Sequence, residues 1–224
     1  GVLHFALMAS VVIVLIAGDA LTFLLAWECM SILCYLLVNY EQKQQRDTGA
    51  GYVMLAMSEA GFLAVVVVFL ILSANAQDFS FVSLRAASGH LSALASAGVF
   101  VLGFGGFGVK AGLVPVNFWL PRCYTASPPM FIPVLAGVTL NLGLYGIVRL
   151  NGDLSPGGGG SGLAVLIVGS VTAIVGILYA TTENDLKTML AHSSIENAGI
   201  VVAAVGAFLI FRNNGSAVPA AIAL

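Results

Sequence analysis

The sequence predicts an all-α integral membrane protein. Three observations carry that prediction. First, 59% of the 224 residues are hydrophobic and only 8% are charged, with a mean hydropathy of +1.03. Soluble domains carry about a quarter charged residues, so this chain cannot cover a water-facing surface. Second, the apolar runs are long and continuous, about the twenty residues a helix needs to cross a bilayer. They lack the alternation of an outer-membrane barrel. Third, short polar segments punctuate the runs. The net charge of −2 offers no basic face for nucleic acid.

The spans follow in order. "HFALMASVVIVLIAG" (4–18) is the first and "ALTFLLAWECMSILCYLLVNY" (20–40) the second. "GYVMLAMSEAGFLAVVVVFLIL" (51–72) is the third. The fourth, 93–120, is long and interrupted by Pro115; spans 128–150, 162–182 and 186–211 complete about seven transmembrane helices. They form one helical membrane domain over residues 1–224. The connection 73–92 is the longest and has room for a short surface helix, and "NGDLSPGGGGSG" (151–162) is a glycine-rich turn. The chain opens in apolar sequence without Met, n-region or cleavage site, and so reads as a fragment of something longer rather than as a signal peptide. For orientation, Lys43, Arg46, Arg122 and Lys187 collect on one side, and Arg85, Arg149 and Arg212 on the other. The excess of one places loop 41–50 on the cytoplasmic side.

Charges inside the spans carry the functional signal. A charge at the bilayer centre costs about 2.5–3.5 kcal/mol on insertion scales, so it pairs, faces a wet cavity or works. Glu28 lies roughly 12 Å below the start of its span at a rise of 1.5 Å per residue. Lys110 sits deep in the fourth span and is its natural partner. The Glu28–Lys110 pair is either a static ion pair or a relay that exchanges a proton. Pro115 and the glycines at 103, 105, 106, 108 and 112 break the same helix. Broken backbone beside an ionisable residue marks ion sites in transporters, although a kink with close packing leaves the same trace. His192 and Glu196 share a helix face; with Ser193, Ser194 and Asn197 they make half of the last span hydrophilic. Those polar groups either line a cavity or bond between helices, and Glu59 beside Ser58 is a further candidate. Lys187 lies near its helix start, and Asp19 and Arg149 at span ends read as interfacial anchors.

Soluble-type chemistry is missing. There is no HExxH, Walker loop or CxxC, "GFGGFG" (103–108) has no preceding strand, and His4, His90 and His192 are not placed as haem ligands. Cys29, Cys34 and Cys123 lack metal-ligand spacing and read as buried small residues. No cofactor, metal or catalytic residue is expected in the chain.

"AWECMSILCYLL", "GFGVKAGLVPVNFWLPR", "LAGVTLNLGLYGIVRL" and "DLKTMLAHSSIENAGI" resemble, in order and spacing, the antiporter-like subunits of respiratory complex I. That family includes the large subunits of multi-subunit Na+/H+ antiporters and membrane subunits of group 4 hydrogenases. The "SSIENAGI" wording is similar to the hydrogenase-4 and formate hydrogenlyase branch. The resemblance implies helices four to ten of a fourteen-helix fold and a proton path along a buried polar axis. It implies the Glu28–Lys110 pair, then Lys187, His192 and Glu196 along that axis, with Glu59 standing in for a histidine. It also implies a multi-subunit redox or antiporter complex in a cell inner membrane, with electrons carried by partner subunits. The chain departs from the pattern at Asn141, where many relatives have a lysine, and at Asn117 and Tyr124, where they have histidines. The alternatives are a non-conducting structural anchor and a cation/proton antiporter subunit.

Overall fold

A computed structural model describes residues 1–40, 49–154, 161–213 and 215. Lys43 and Arg46, used above for orientation, lie outside the described residues. The regular structure among the described residues is helical, apart from an isolated bridge between Asp19 and Ser80. In order, the helices are α1 (Val2–Ile16), α2 (Ala20–Val38), α3 (Ala50–Ser73), α4 (Phe81–Ser88), α5 (Ala93–Ala111), α6 (Trp119–Ala126), α7 (Ile132–Val134), α8 (Leu140–Arg149), α9 (Ser161–Thr182) and α10 (Leu186–Asn213). π-Helical turns at Leu135–Thr139 and Leu150–Leu154 join and extend α7 and α8 into one rod.

Among the described residues, six elements are long and apolar enough to cross a membrane: α2, α3, α5, the rod Ile132–Leu154, α9 and α10. The remaining predicted span, α1, is apolar but runs for 15 residues. The surface helix expected in 73–92 is α4, packed by Phe81, Leu84 and Ala87. Short polar side chains start the helices. Asp19 accepts from Thr22 N at 2.8 Å, Ser80 from Ser83 N at 3.2 Å, Ser92 from Ala95 N at 3.2 Å and Asp185 from Thr188 N at 3.0 Å. Each satisfies one of the donors that a helix start leaves unpaired.

The fourth span does not run to residue 120. It stops at Ala111, because Gly112 takes the left-handed conformation at φ 73°. Leu113 N then bonds Gly108 O at 3.0 Å, the closure that ends helices at a glycine. The Trp119 indole donates to Val109 O at 3.1 Å and satisfies another carbonyl of the last turn. Gly112 is thus the terminator, and Pro115 lies in the exposed loop beyond it. Non-helical backbone at this depth survives because protein satisfies it.

Two kinds of packing hold the bundle. Phe23 and Trp27 of α2 stack at 5.4 Å, and Phe69, Phe81 and Phe107 meet Phe23 edge-on at 5.8–6.2 Å. This aromatic cluster ties α2, α3, α4 and α5 together. On the other side, α9 and α10 approach until a Cβ on Gly169 would collide with Ala203 N, and one on Gly199 with Ala173 N. Small residues let transmembrane backbones touch in this way.

Candidate functional site

Lys110 is buried at 5% exposure at the C-terminal end of α5. Its ammonium donates to Ser31 Oγ of α2 at 3.1 Å and Ser58 Oγ of α3 at 3.5 Å. The helix end also favours a cation, since its last carbonyls carry partial negative charge. Both serines are buried, at 1% and 5%. Ser31 follows Glu28 by one turn of α2, and Ser58 is the residue before Glu59 on α3.

Glu59 on α3 lies close enough to act on the Glu28 carboxyl, which also feels the Lys110 charge. Glu28 Oε2 is buried with no hydrogen-bond partner among the described residues. Glu28 and Lys110 act on one another through space without a contact pair; among the described residues Arg85 pairs with Asp153, and His192 Nε2 lies 3.9 Å from Glu183 Oε1. The geometry gives the reason. Hydroxyls rather than a carboxylate hold the ammonium, and Glu59 lies beside Glu28.

The residues expected further along the axis divide into separate places. Lys187 donates to Ser127 O at 2.8 Å and Thr125 O at 3.4 Å, so it caps the C-terminus of α6. His192 is 8% exposed and stacks on Tyr179 with ring centroids 5.2 Å apart. Its Nε2 lies 3.9 Å from Glu183 Oε1, in the turn between α9 and α10. Glu196 follows one turn later, half-buried, where its backbone meets Gly176. Tyr124 is fully buried and shares a 2.9 Å hydrogen bond with Ser194, joining α6 to α10.

Asn141 does not face this interior. It is exposed, and its amide donates to Gly137 O on its own helix at 2.8 Å. The rod's inner face is set by Leu140, Gly143, Leu144 and Ile147, at helical spacing, with Gly143 against Ala111 and Phe107. Asn141 falls on the outer stripe with Gly137 and Val148. Cys34 and Cys123 are buried as expected, whereas Cys29 is exposed.

Ser31 and Glu183 were not singled out by the sequence reading. For Ser31 a signal was present: it lies three residues from an intramembrane glutamate, the spacing that puts both on one side of a helix. Glu183 lies outside the apolar runs, where a carboxylate is unremarked.

Fold and site together define a polytopic membrane subunit with a lysine at the end of a broken helix and a carboxyl pair beside it. The chain belongs to the NADH:quinone oxidoreductase/Mrp antiporter transmembrane family, whose model matches residues 17–221. An uncharacterized protein of Mycobacterium tuberculosis (strain ATCC 25618 / H37Rv) is 39% identical over 217 residues, covering 96% of this chain and 33% of that protein. Hydrogenase-4 component B of Escherichia coli (strain K12) is 34% identical over 206 residues, covering 91% of this chain and 30% of the relative. The chain thus spans about a third of the length of these relatives. In structure it is similar to a chain of the Mrp complex from Dietzia sp. DQ12-45-1b, with a TM-score of 0.82 at 21% identity, over 99% of this chain and 25% of that one. The family read from the four motifs is borne out, and hydrogenase-4 component B is among the relatives that the chain is similar to.

Proposed function

We propose that this chain is the part of an antiporter-like subunit that carries protons through the Lys110 centre. The observation that carries the reading is a single constellation. A buried ammonium rests on two hydroxyls, and a carboxyl pair lies beside it. Such a centre has two chemically distinct arrangements. In one, the ammonium stays on Ser31 and Ser58 while Glu28 and Glu59 share a proton. In the other, a proton leaves the carboxyls and the ammonium turns to the freed carboxylate. A charge arriving at either end biases this exchange, and the exchange is what a relay requires. Serving with other membrane subunits of a redox or antiporter complex, in a cell inner membrane, belongs to the same reading. The related hydrogenase-4 component and Mrp chain support that part.

The second reading is a non-conducting anchor, and one observation favours it. A Cβ on Gly112 would meet Leu120 Cδ2 at 3.3 Å and Ile195 Cγ1 at 4.0 Å, and both side chains are fully buried. Apolar groups thus stand between the end of α5 and α10, and Asn141 offers no bypass.

The test is Lys110→Ala in the full-length protein within its membrane complex, with proton flux followed by a pH-sensitive dye in vesicles. Flux falls to background while assembly of the complex is retained. Unchanged flux in the variant overturns the relay, and absence of flux in the unaltered protein selects the anchor. A flux that needs sodium selects the cation/proton antiporter.

A further inference from the structure

The turn between α9 and α10 carries a second buried titratable group, which the Lys110 centre does not use. His192 is 8% exposed and lies six residues into α10, so about 9 Å below the helix start. Its Nε2 is 3.9 Å from Glu183 Oε1. Glu183 keeps 34% of its side chain exposed in the turn, so it meets water where the imidazole does not. The other ring nitrogen, Nδ1, is buried and has no hydrogen-bond partner among the described residues. Tyr179 of α9 stacks on the ring at 5.2 Å, with the planes 19° apart. The backbone beneath is fixed, since a Cβ on Gly176 would stand 2.9 Å from His192 O.

The other polar groups on the elements packed against α10 are turned elsewhere. Lys187 donates to the carbonyls of Thr125 and Ser127. Asp185 accepts from Thr188. On α6 the Tyr124 hydroxyl is shared with Ser194, and Cys123 meets Met54. On the rod, Tyr145 reaches Leu15 O and Arg149 lies over Phe81. Glu183 is the charged group set against the imidazole.

We propose that Glu183 and His192 form a proton-collecting site, with Glu183 the water-facing group and His192 the buried receiver. The proton moves from the Glu183 carboxyl to Nε2 and leaves a carboxylate facing an imidazolium. The summed charge of the pair is unchanged, so the step leaves no uncompensated charge in the interior. The 3.9 Å separation closes by turning the partly exposed glutamate, or through one water. An imidazolium releases either proton: from Nε2 back to Glu183, or from Nδ1 inward, where Glu196 lies one turn deeper on the same helix face. The glycine contact holds the backbone while only ring, carboxyl and proton move. The inference rests on the relay reading for the proton's onward use alone; collection by Glu183 and His192 stands without it.

The experiment uses the full-length protein in its membrane complex. Hydrogen exchange at the imidazole C2 position, read by mass spectrometry of the peptide that carries His192, follows its protonation against pH. His192 titrates between about pH 5 and 8, the range in which imidazole serves as a proton shuttle. The midpoint shifts in Glu183→Gln, which removes the facing carboxylate. In vesicles, His192→Ala lowers proton flux about a hundredfold, the lower bound for a positioned proton-transfer group. Imidazole added to the medium restores that flux. It does not restore flux in Lys110→Ala, whose site is sealed by buried serines. The site is overturned if His192 does not titrate in that range, or if its midpoint is the same in Glu183→Gln. Unchanged flux in His192→Ala, or a loss that imidazole leaves untouched, overturns it too. The exchange measurement on the unaltered complex needs no variant, so poor folding of a substituted chain does not shelter the proposal. A complex that carries no flux sinks the relay, and the exchange measurement still decides the site.

Discussion

Around Lys110, side-chain hydrogen bonds join α5 to α2 and α3 beside one glycine contact, Gly61 on Gly106, whereas α9 and α10 meet through glycine along their length. The first region sets the ammonium on buried Ser31 and Ser58, with half-buried Glu28 and Glu59 beside it. The second sets Gly162, Gly169 and Gly176 of α9 against α10, and Gly199 and Gly206 of α10 against α9. Lipid tails are as apolar as leucine, so neither region is held by the hydrophobic effect alone. A polar contact has alternatives: hydroxyl, carboxylate and ammonium can exchange partners. A backbone-on-backbone contact has one arrangement. The difference marks the first region as the one that can change state and the second as the frame that keeps it in place.

The largest expected effect strikes the frame. Gly169→Val adds a Cβ where Ala203 N and Cα already stand, so the two helices must separate along their length. Overpacking of this kind costs about 3 kcal/mol. Gly137→Val is the control, because a Cβ there meets nothing within 4 Å. Thermal unfolding in detergent should show a large drop for the first variant and a small one for the second. Equal drops would break the distinction between frame and site.

How much of this was legible in the sequence follows from what each feature depends on. Spans need only apolar length, and Lys110 is conspicuous against an apolar run, so both were readable. The helix break was readable from its glycines and proline, but its position was not. Pro115 drew attention as the strongest breaker, while the left-handed turn falls at Gly112, three residues earlier. The hydroxyls on the ammonium were not readable, because charge draws attention to charge and a serine hydroxyl carries none. Asn141 was aligned with a lysine by motif, yet its direction depends on how the rod rotates against α5, through Gly143 and Phe107. The seven-residue spacing of Gly162, Gly169 and Gly176 was present in the sequence and predicts a continuous seam between paired helices.

A smaller effect sharpens the comparison at the site. Ser31→Ala removes one of the two hydroxyls on the ammonium and leaves a buried charge with one acceptor. A hydrogen bond to a charged group contributes about 1.5–3 kcal/mol. If the site has two arrangements, the loss is partly recovered, because the ammonium turns toward Glu28 or Glu59. The stability loss for Ser31→Ala is therefore below that range in the unaltered background and within it when Glu28 and Glu59 are both glutamine. A double-mutant cycle on thermal stability checks this. Additive losses would mean that the site is as fixed as the glycine seam.

The smallest effect lies at the helix ends, where both regions use the same device. Asp19 starts α2 and Asp185 starts α10, each accepting from a backbone N–H three residues on. Replacing such a cap with alanine costs about 1 kcal/mol. At α2 the loop between α3 and α4 lends support, with Ala20 N bonded to Phe79 O at 2.9 Å and Phe81 N to Gly18 O at 3.0 Å. Asp19→Ala should then destabilise slightly less than Asp185→Ala. The Asp19 contribution also depends on pH. Its hydrogen bonds from Thr22 hold the carboxyl below the usual 3.8. A carboxyl lowered in the folded state stabilises fully above its unfolded value, and that stabilisation fades as pH falls through the folded one. The gap between Asp19→Asn and the unaltered chain should be constant from neutral pH down to about 5 and close below about 4. A gap that widens on acidification would mean that Asp19 is not the cap that starts α2.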